Sequence, residues 1–594
     1  AELRAAGLLL APTPKYVEPA DDESLLRSAG VSSDGPSLLA FFQARTRTQI
    51  DAAPLDRLLQ QFRDGSAAQR DRAAGELVGL GALALPAMRQ LANDIDCPDV
   101  AKRAARCLPW LEGPSSHKLL MAAARLLGRR KAEGAAAVLL AYLPHAEDAE
   151  IIAAVEDALS QVAAPDGKPA AALLQGMADR QGIRRAAAAA ALSRAVSPQR
   201  VPEVRKLLKD PSPTVRLRTA LALAQANDAE AIAVLIDLLA EVSAEKRQPI
   251  EEFLKQLAGE WALTVEIPIE DAIGRRIRRD AWATWWRLRD GAMLLAEIGK
   301  HTLTPDKSRK IESLIAKLGN DEFDVREEAS RQLRTFGRLV LPQLHQARKH
   351  PDAETARRAK VLIEDIERAE DARLPLAALR LLAVRKPAGA VEALLAYLPF
   401  ADDEMREDEV RKSLIVLARS EGERGRVSAP REGWFATLRR SLTNEQALVR
   451  AVAAEVLIQG GGAEGRAAVR KLLTDDVPAV RLRAALTLAR VGERQGIALL
   501  IDLLPRLSAE ESGQAEEILY ALAGDTAPKM PEGAEADDVK KRHDAWAAWW
   551  KINAKRVDLR AASIAGTVRP MLGYTLICDG NRVFEVDRHG KERW

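Results

Sequence analysis

The chain has 594 residues, more than one compact core accommodates, since single cores stop growing near ~250 to 300 residues. Hydrophobic residues make up 47% and aromatics only 4%, and the apolar content is mostly Ala, Leu, Val and Ile among 29% charged residues, a mixture that favours helices. Lys plus Arg number 88 against 85 Asp plus Glu; the net charge of +3 excludes a global polyelectrolyte field and leaves any nucleic-acid or membrane binding to a local patch.

Residues 1–49 read as an N-terminal leader and the first helices. The chain opens on Ala1 without an initiator methionine and carries a short apolar stretch after Arg4, which reads either as the remnant of an export signal or as an ordinary leader. No apolar run reaches the ~18 residues that a membrane-spanning helix needs, so no transmembrane segment is expected. Cys97, Cys107 and Cys578 suggest neither a disulfide framework nor a Cys-based metal site.

From Leu55 the chain starts to repeat itself. LDRLLQQFRDGSAAQRDRAAGELVGLGALALP matches IESLIAKLGNDEFDVREEASRQLRTFGRLVLP, which starts 256 residues later at Ile311, without a gap. AYLPHAED at Ala141 returns as AYLPFADD at Ala396, and VRLRTALALA at Val215 as VRLRAALTLA at Val480, now 265 residues on. The growing offset implies an insertion in the second copy, expected as a surface loop at Glu421 to Gly433, where Gly, Pro, Arg and Glu cluster. The expected organisation is a first array at 50–290, a connector at 291–303, a second array at 304–555, a linker at 556–572 and a β segment at 573–594.

Within each copy runs a shorter signature: Asp or Asn, then a basic residue six positions later. The first copy has Asp64 with Arg70, Asp96 with Lys102, Asp179 with Arg185 and Asp210 with Arg216. The second has Asn320 with Arg326, Asp352 with Arg358, Asn444 with Arg450 and Asp475 with Arg481. Adjacent units lie 31 or 32 residues apart, a helix-pair length, with a polar turn between two amphipathic helices. Pro211 and Pro213 fix one such turn, because neither tolerates a continuing helix.

Asp-x5-Arg between two amphipathic helices resembles the HEAT repeat and its bacterial HEAT-like relatives, over roughly residues 55 to 555. The resemblance implies an all-α, HEAT-type α-solenoid in two tandem homologous halves. It also implies a ladder in which each basic residue reaches an acid or carbonyl at a neighbouring turn, with a looser rung at Lys102, which lacks the guanidinium fork.

RRIRRDAWATWW places Trp282, Trp285 and Trp286 at i, i+3 and i+4, and KKRHDAWAAWW repeats this with Trp546, Trp549 and Trp550. Each trio reads as a cap on its own array, with Arg278 and Arg279 laid over Trp282, or as an anchor for a partner. GGGAEG at Gly460 to Gly465 follows a helical pattern rather than a strand and reads as a helix end, not a nucleotide loop. None of the seven histidines has another His or Cys at i+3 or i+4, so no metal face is expected. Arg218 and Arg483 point away from the ladder and are candidate exposed cations for a DNA backbone.

After about Leu559 the helical pattern gives way to alternation, and a hairpin or three-strand meander is expected over Gly573 to Trp594. NRVFEVDRHGKERW resembles the opening blade of a quinoprotein-like or NHL-like β-propeller, which implies a chain continuing past Trp594. The expected function is a non-enzymatic protein-interaction scaffold, with protein as partner and no cofactor. Alternatives are nucleic-acid backbone binding on a basic concave face and an enzyme of the HEAT-like lyase or DNA-repair type. Resemblance favours export, with a cytoplasmic site as the alternative.

Overall fold

The computed structural model describes residues 19–47, 52–94, 97–146, 148–195, 202–264, 272–368, 374–401, 403–424, 433–460, 462–528, 536–559, 574–579 and 582–587. Two compact units emerge, Ala1–Asp290 and Gly291–Trp594, each a succession of antiparallel helices packed on their sequence neighbours.

In the first unit the helix Pro19–Ser28 packs on Pro114–Arg130. Asp22, 2% exposed, accepts from Arg125 Nε at 3.1 Å and from Arg129, and Glu23 pairs with Arg130 at 2.7 Å. Gly75 makes room for this segment: a Cβ there would lie 1.9 Å from the Gly30 carbonyl oxygen. The early residues from Pro19 on are thus part of the first unit's core.

The middle of each array is built on helices buried all round. Gly182–Ala195 buries Ala186 through Leu192 because it is flanked by Ala149–Gln161 on one side and Pro213–Gln225 on the other. Small side chains allow that close approach. Ala447–Gly460 occupies the equivalent place in the second unit, with Val452, Ala453, Ala454, Val456 and Leu457 at 0% exposure.

Three features differ from the sequence reading. The expected connector at 291–303 is mostly a helix, Gly291–Lys300, whose Leu294 and Ile298 share one face and are fully buried against Leu376–Arg385 and Ala390–Tyr397. The insertion begins inside a helix: Glu404–Arg424 has 21 residues where its first-copy counterpart Ala149–Gln161 has 13. Glu421, Glu423 and Arg424 are helix formers that extend it despite Gly422, while 425–432 lie outside the described residues. At the C-terminus, Tyr574–Asp579 pairs antiparallel with Arg582–Asp587, Tyr574 opposite Asp587. This two-stranded hairpin is the β structure among the described residues, short of a propeller blade; 588–594, where a third strand was expected, fall outside them.

Candidate interaction surface

At the turns the signature residue acts on backbone. Asp210 Oδ1 accepts from the Ser212 amide at 2.9 Å, Asn320 from Glu322 at 2.9 Å, Asn444 from Gln446 at 2.9 Å and Asp475 from Val477 at 2.9 Å. Asp179 does the same with Gln181 at 2.8 Å. Such Asx turns suit Asp and Asn, whose short side chains mimic a backbone carbonyl.

The arginine six residues later bends back over this turn. Arg185 Nη1 donates to the carbonyls of Asp179 and Arg180 at 2.9 and 3.0 Å, and Arg450 Nη1 to those of Asn444 and Glu445 at 2.8 and 3.0 Å. Arg216, Arg326 and Arg481 repeat the pattern at Asp210, Asn320 and Asp475, at 2.9, 2.6 and 2.6 Å. The free edge of the guanidinium then reaches the next repeat. Arg185 grips Asp210 with two bonds of 2.7 and 2.9 Å, and Arg450 grips Asp475 at 2.8 and 2.7 Å. Arg216 meets Glu241, and Arg326 lies 3.6 Å from Glu354.

These pairs shift the carboxyls. The bond from Arg450 holds Asp475 below the usual carboxylate range, outweighing the opposing effect of burial. Burial acts most strongly on Asp210, yet Arg185 and the Ser212 amide still leave its pKa lowered.

Two positions depart from the pattern. Arg358 turns back toward Glu327 of the helix Phe323–Thr335 at 2.7 Å and to Glu354, four residues upstream, at 2.6 Å. Arg357 and Arg358 hold the Glu354 carboxyl down to about 2. In the first copy the residue that corresponds to Arg358 is Arg103, not Lys102. The helix Pro98–Leu111 matches Ala353–Arg368 at an offset of 255, so buried Val100 and Ala104 coincide with Thr355 and Ala359. The first copy carries one residue more than the second between the two helices of this unit, and a one-residue slip turns a side chain by about 100° around a helix. Lys102 is exposed, Asp96 lies outside the described residues, and the same holds for any bond between Asp96 and Arg70. Asp64, exposed, is the last residue of the helix Ala52–Asp64, and the turn after it is capped by Ser66, whose hydroxyl accepts from the Gln69 amide at 3.4 Å; Asp352 accepts from the Thr355 amide at 2.7 Å.

This region of the first copy holds a groove of about 640 Å³, lined by Ala67, Arg70, Asp71, Asp99, Lys102, Arg103 and Arg106. The second-copy positions are Phe323, Arg326, Glu327, Glu354, Arg357, Arg358 and Val361. There Phe323 sits under Arg326 and Arg358, at 5.7 and 6.0 Å, and the two glutamates pair with the arginines.

The tryptophan faces point inward. Trp282, Trp285 and Trp286 are 1, 3 and 8% exposed; Trp546 and Trp549 are 0 and 6%, and Trp550 is half-buried. Trp285 Nε1 donates to the Trp261 carbonyl at 2.7 Å, and Trp549 Nε1 to the Thr526 hydroxyl at 3.1 Å. Arg278 pairs with Glu251 at 2.7 Å, and Arg279 approaches Asp280 at 3.0 Å, since both project from the helix toward acids. The cation over indole is Arg289, 5.2 Å from Trp285 and 5.3 Å from Trp261.

Arg218 and Arg483, the candidate DNA contacts, are half-buried and paired with Glu156 and with Glu407, the latter at 3.1 Å. Gly460 closes a helix and Gly462, at φ +55, opens the next. Among the described residues no group of three or more His, Cys, Asp or Glu is placed to hold a metal, and no helix is long and apolar enough to cross a membrane.

The HEAT-repeat family model matches residues 170–255 and 435–519, the two stretches that contain the two-bond rungs. The fold is an all-α solenoid of HEAT type. Among solved structures, Kap121p bound to RanGTP is similar at 15% identity over 86% of this chain and 56% of that one, with a TM-score of 0.21. Kap95p with RanGDP is similar at 14% over 95% and 75%, TM-score 0.21, and the Kap95:Nup1 complex at 13% over 95% and 78%, TM-score 0.20. The chain thus spans about half the length of Kap121p, and scores this low carry no information on partners. No curated protein matches the chain as a relative.

Proposed function

We propose that this chain is a non-enzymatic protein-interaction scaffold whose repeats are held in register by the arginine ladder and closed by the tryptophan faces. The observation that carries this reading is how the repeats use their residues. Most apolar side chains and the indoles are turned onto neighbouring helices, and Arg185 and Arg450 are tied to the next turn, so what is left for other molecules is helix faces and shallow grooves that are largely polar, with single exposed apolar residues such as Ile273 and Met405. HEAT-type stacks offer extended surfaces of this kind. With Arg218 and Arg483 paired internally, the nucleic-acid alternative loses the cations first assigned to it.

The test is cross-linking of the full chain in its native extract after nuclease treatment, with the linked residues mapped by mass spectrometry. A scaffold gives reproducible links from defined proteins to contiguous helix faces. Links that vanish with nuclease, or turnover of a small molecule by the purified chain alone, would overturn the reading.

A further inference from the structure

The groove between the helices Ala67–Leu80 and Pro98–Leu111 is the place where the two copies use the same charges differently. In the second copy the pairs Glu327 with Arg358 and Glu354 with Arg357 and Arg358 satisfy the cations internally, and Phe323 covers them. The first copy shortens both acids by one methylene, to Asp71 and Asp99, and no ion pair from either reaches Arg70, Lys102, Arg103 or Arg106 among the described residues. Alanine replaces the covering phenylalanine at 67, and Arg106 stands in place of Val361. Arg103 is fixed by its Nε bond to the Asp99 carbonyl, 3.2 Å, and by stacking 5.5 Å from Phe62. Four cations and two carboxylates thus line open space of about 640 Å³.

We infer that this groove binds an extended acidic peptide segment of a partner, with Asp or Glu on alternate residues. Lys102 and Arg106 are four apart on one helix face, so their Cβ atoms lie about 5 to 6 Å apart. Alternate residues of an extended strand repeat every ~6.6 Å, so two carboxylates on one side of the strand match these two cations. Arg70, from the facing helix, closes the other wall. The patch is too confined for a nucleic-acid backbone, which takes some ~6 to 10 phosphate contacts along a stripe. Several cations beyond it are engaged internally: Arg63 with Asp94, Arg89 with Glu112, Arg125 and Arg129 with Asp22, and Arg185 with Asp210. Asp71 and Asp99 also repel a continuous phosphodiester, while an alternating peptide sets neutral residues against them.

The inference rests on the scaffold reading and is tested apart from it. Fluorescence anisotropy of a labelled Glu-Ser-Glu-Ser-Glu peptide on the full chain should show saturable binding that weakens as salt rises. The double variant Ala67→Phe with Arg106→Val installs the second copy's residues at two exposed positions; it should lower affinity at least tenfold with an unchanged circular dichroism spectrum and melting point. The pair Asp71→Glu with Asp99→Glu keeps every charge but restores the longer acids, and should also lower affinity by closing the groove internally. Absence of binding by the unmodified chain, equal binding by both variants, or tighter binding of a charge-matched oligonucleotide overturns the inference. If the cross-links to protein partners persist in that case, the scaffold reading stands without this groove.

Discussion

The two HEAT-matched stretches hold the same first rung and part company at the second. In residues 170–255 Arg185 grips Asp210, and Arg216, seated on the carbonyl of Asp210, reaches on to Glu241. In residues 435–519 Arg450 grips Asp475 and Arg481 is seated on the Asp475 carbonyl, but the residue at the place of Glu241 is Arg506. The difference separates two tasks of one side chain. Holding its own turn needs only backbone, whereas coupling to the next repeat needs an acid supplied by that repeat. The groove beside Lys102 and Arg106 shows the same contrast from the other side: among the described residues no ion pair from Asp71 or Asp99 reaches these two cations.

The largest effects should come from the closing faces, where the copies agree. Trp285→Ala and Trp549→Ala should each cost on the order of 3 to 5 kcal/mol, measured by denaturant unfolding of the full chain. If the loss is confined to one variant, the two faces are not equivalent. Next come the shared rungs: Arg185→Ala and Arg450→Ala each leave a buried carboxylate unpaired and should cost about 3 kcal/mol, with the coupling read by double-mutant cycles against Asp210→Asn and Asp475→Asn.

The pH dependence follows from the same pair. The folded pKa of Asp475 lies below its unfolded value near ~3.9, so the stability it adds is present above that pH and disappears as pH falls through the folded value. Asp475→Asn should therefore flatten the decline in melting temperature from about pH 4 downward. An unchanged acid limb in a pH series of melts would show that the rung contributes nothing. The smallest effect is the most specific to the comparison. Arg506→Glu supplies the acid that Arg481 lacks and should stabilise the second unit by about 0.5 kcal/mol, whereas Glu241→Arg should cost the first unit a similar amount.

Much of this was legible in the sequence because it is written in local spacing. The Asx turn, the basic residue six positions on and the helix-pair period all lie within one repeat, so self-similarity exposed them. Lys102 falls away from the position of Arg358 because a single extra residue in the first copy rotates a helix face without disturbing its apolar periodicity. The sign was already present at Ala141 and Ala396, where the offset between copies has become 255. Helix Gly291–Lys300 was hidden by the glycines at both its ends, although Leu294 and Ile298 have helical spacing. The partners of Arg218 and Arg483 were beyond reach for another reason: Glu156 and Glu407 come from helices 62 and 76 residues away, and no local pattern specifies them.

The ladder arginines take hold of their own turns through carbonyl oxygens, and every amino acid supplies one. Five residues before each of Arg185, Arg216, Arg326, Arg450 and Arg481 stand Arg180, Pro211, Asp321, Glu445 and Asp476, side chains that range from cationic through apolar to acidic, all accepting from the guanidinium above through the main chain. The edge formed by these turns is therefore free to drift. Charge, shape and hydrogen-bonding character can be rewritten there one residue at a time while the register of the helices stays the same, so the outer edge of such an array can acquire a new specificity without a detour through an unstable ancestor.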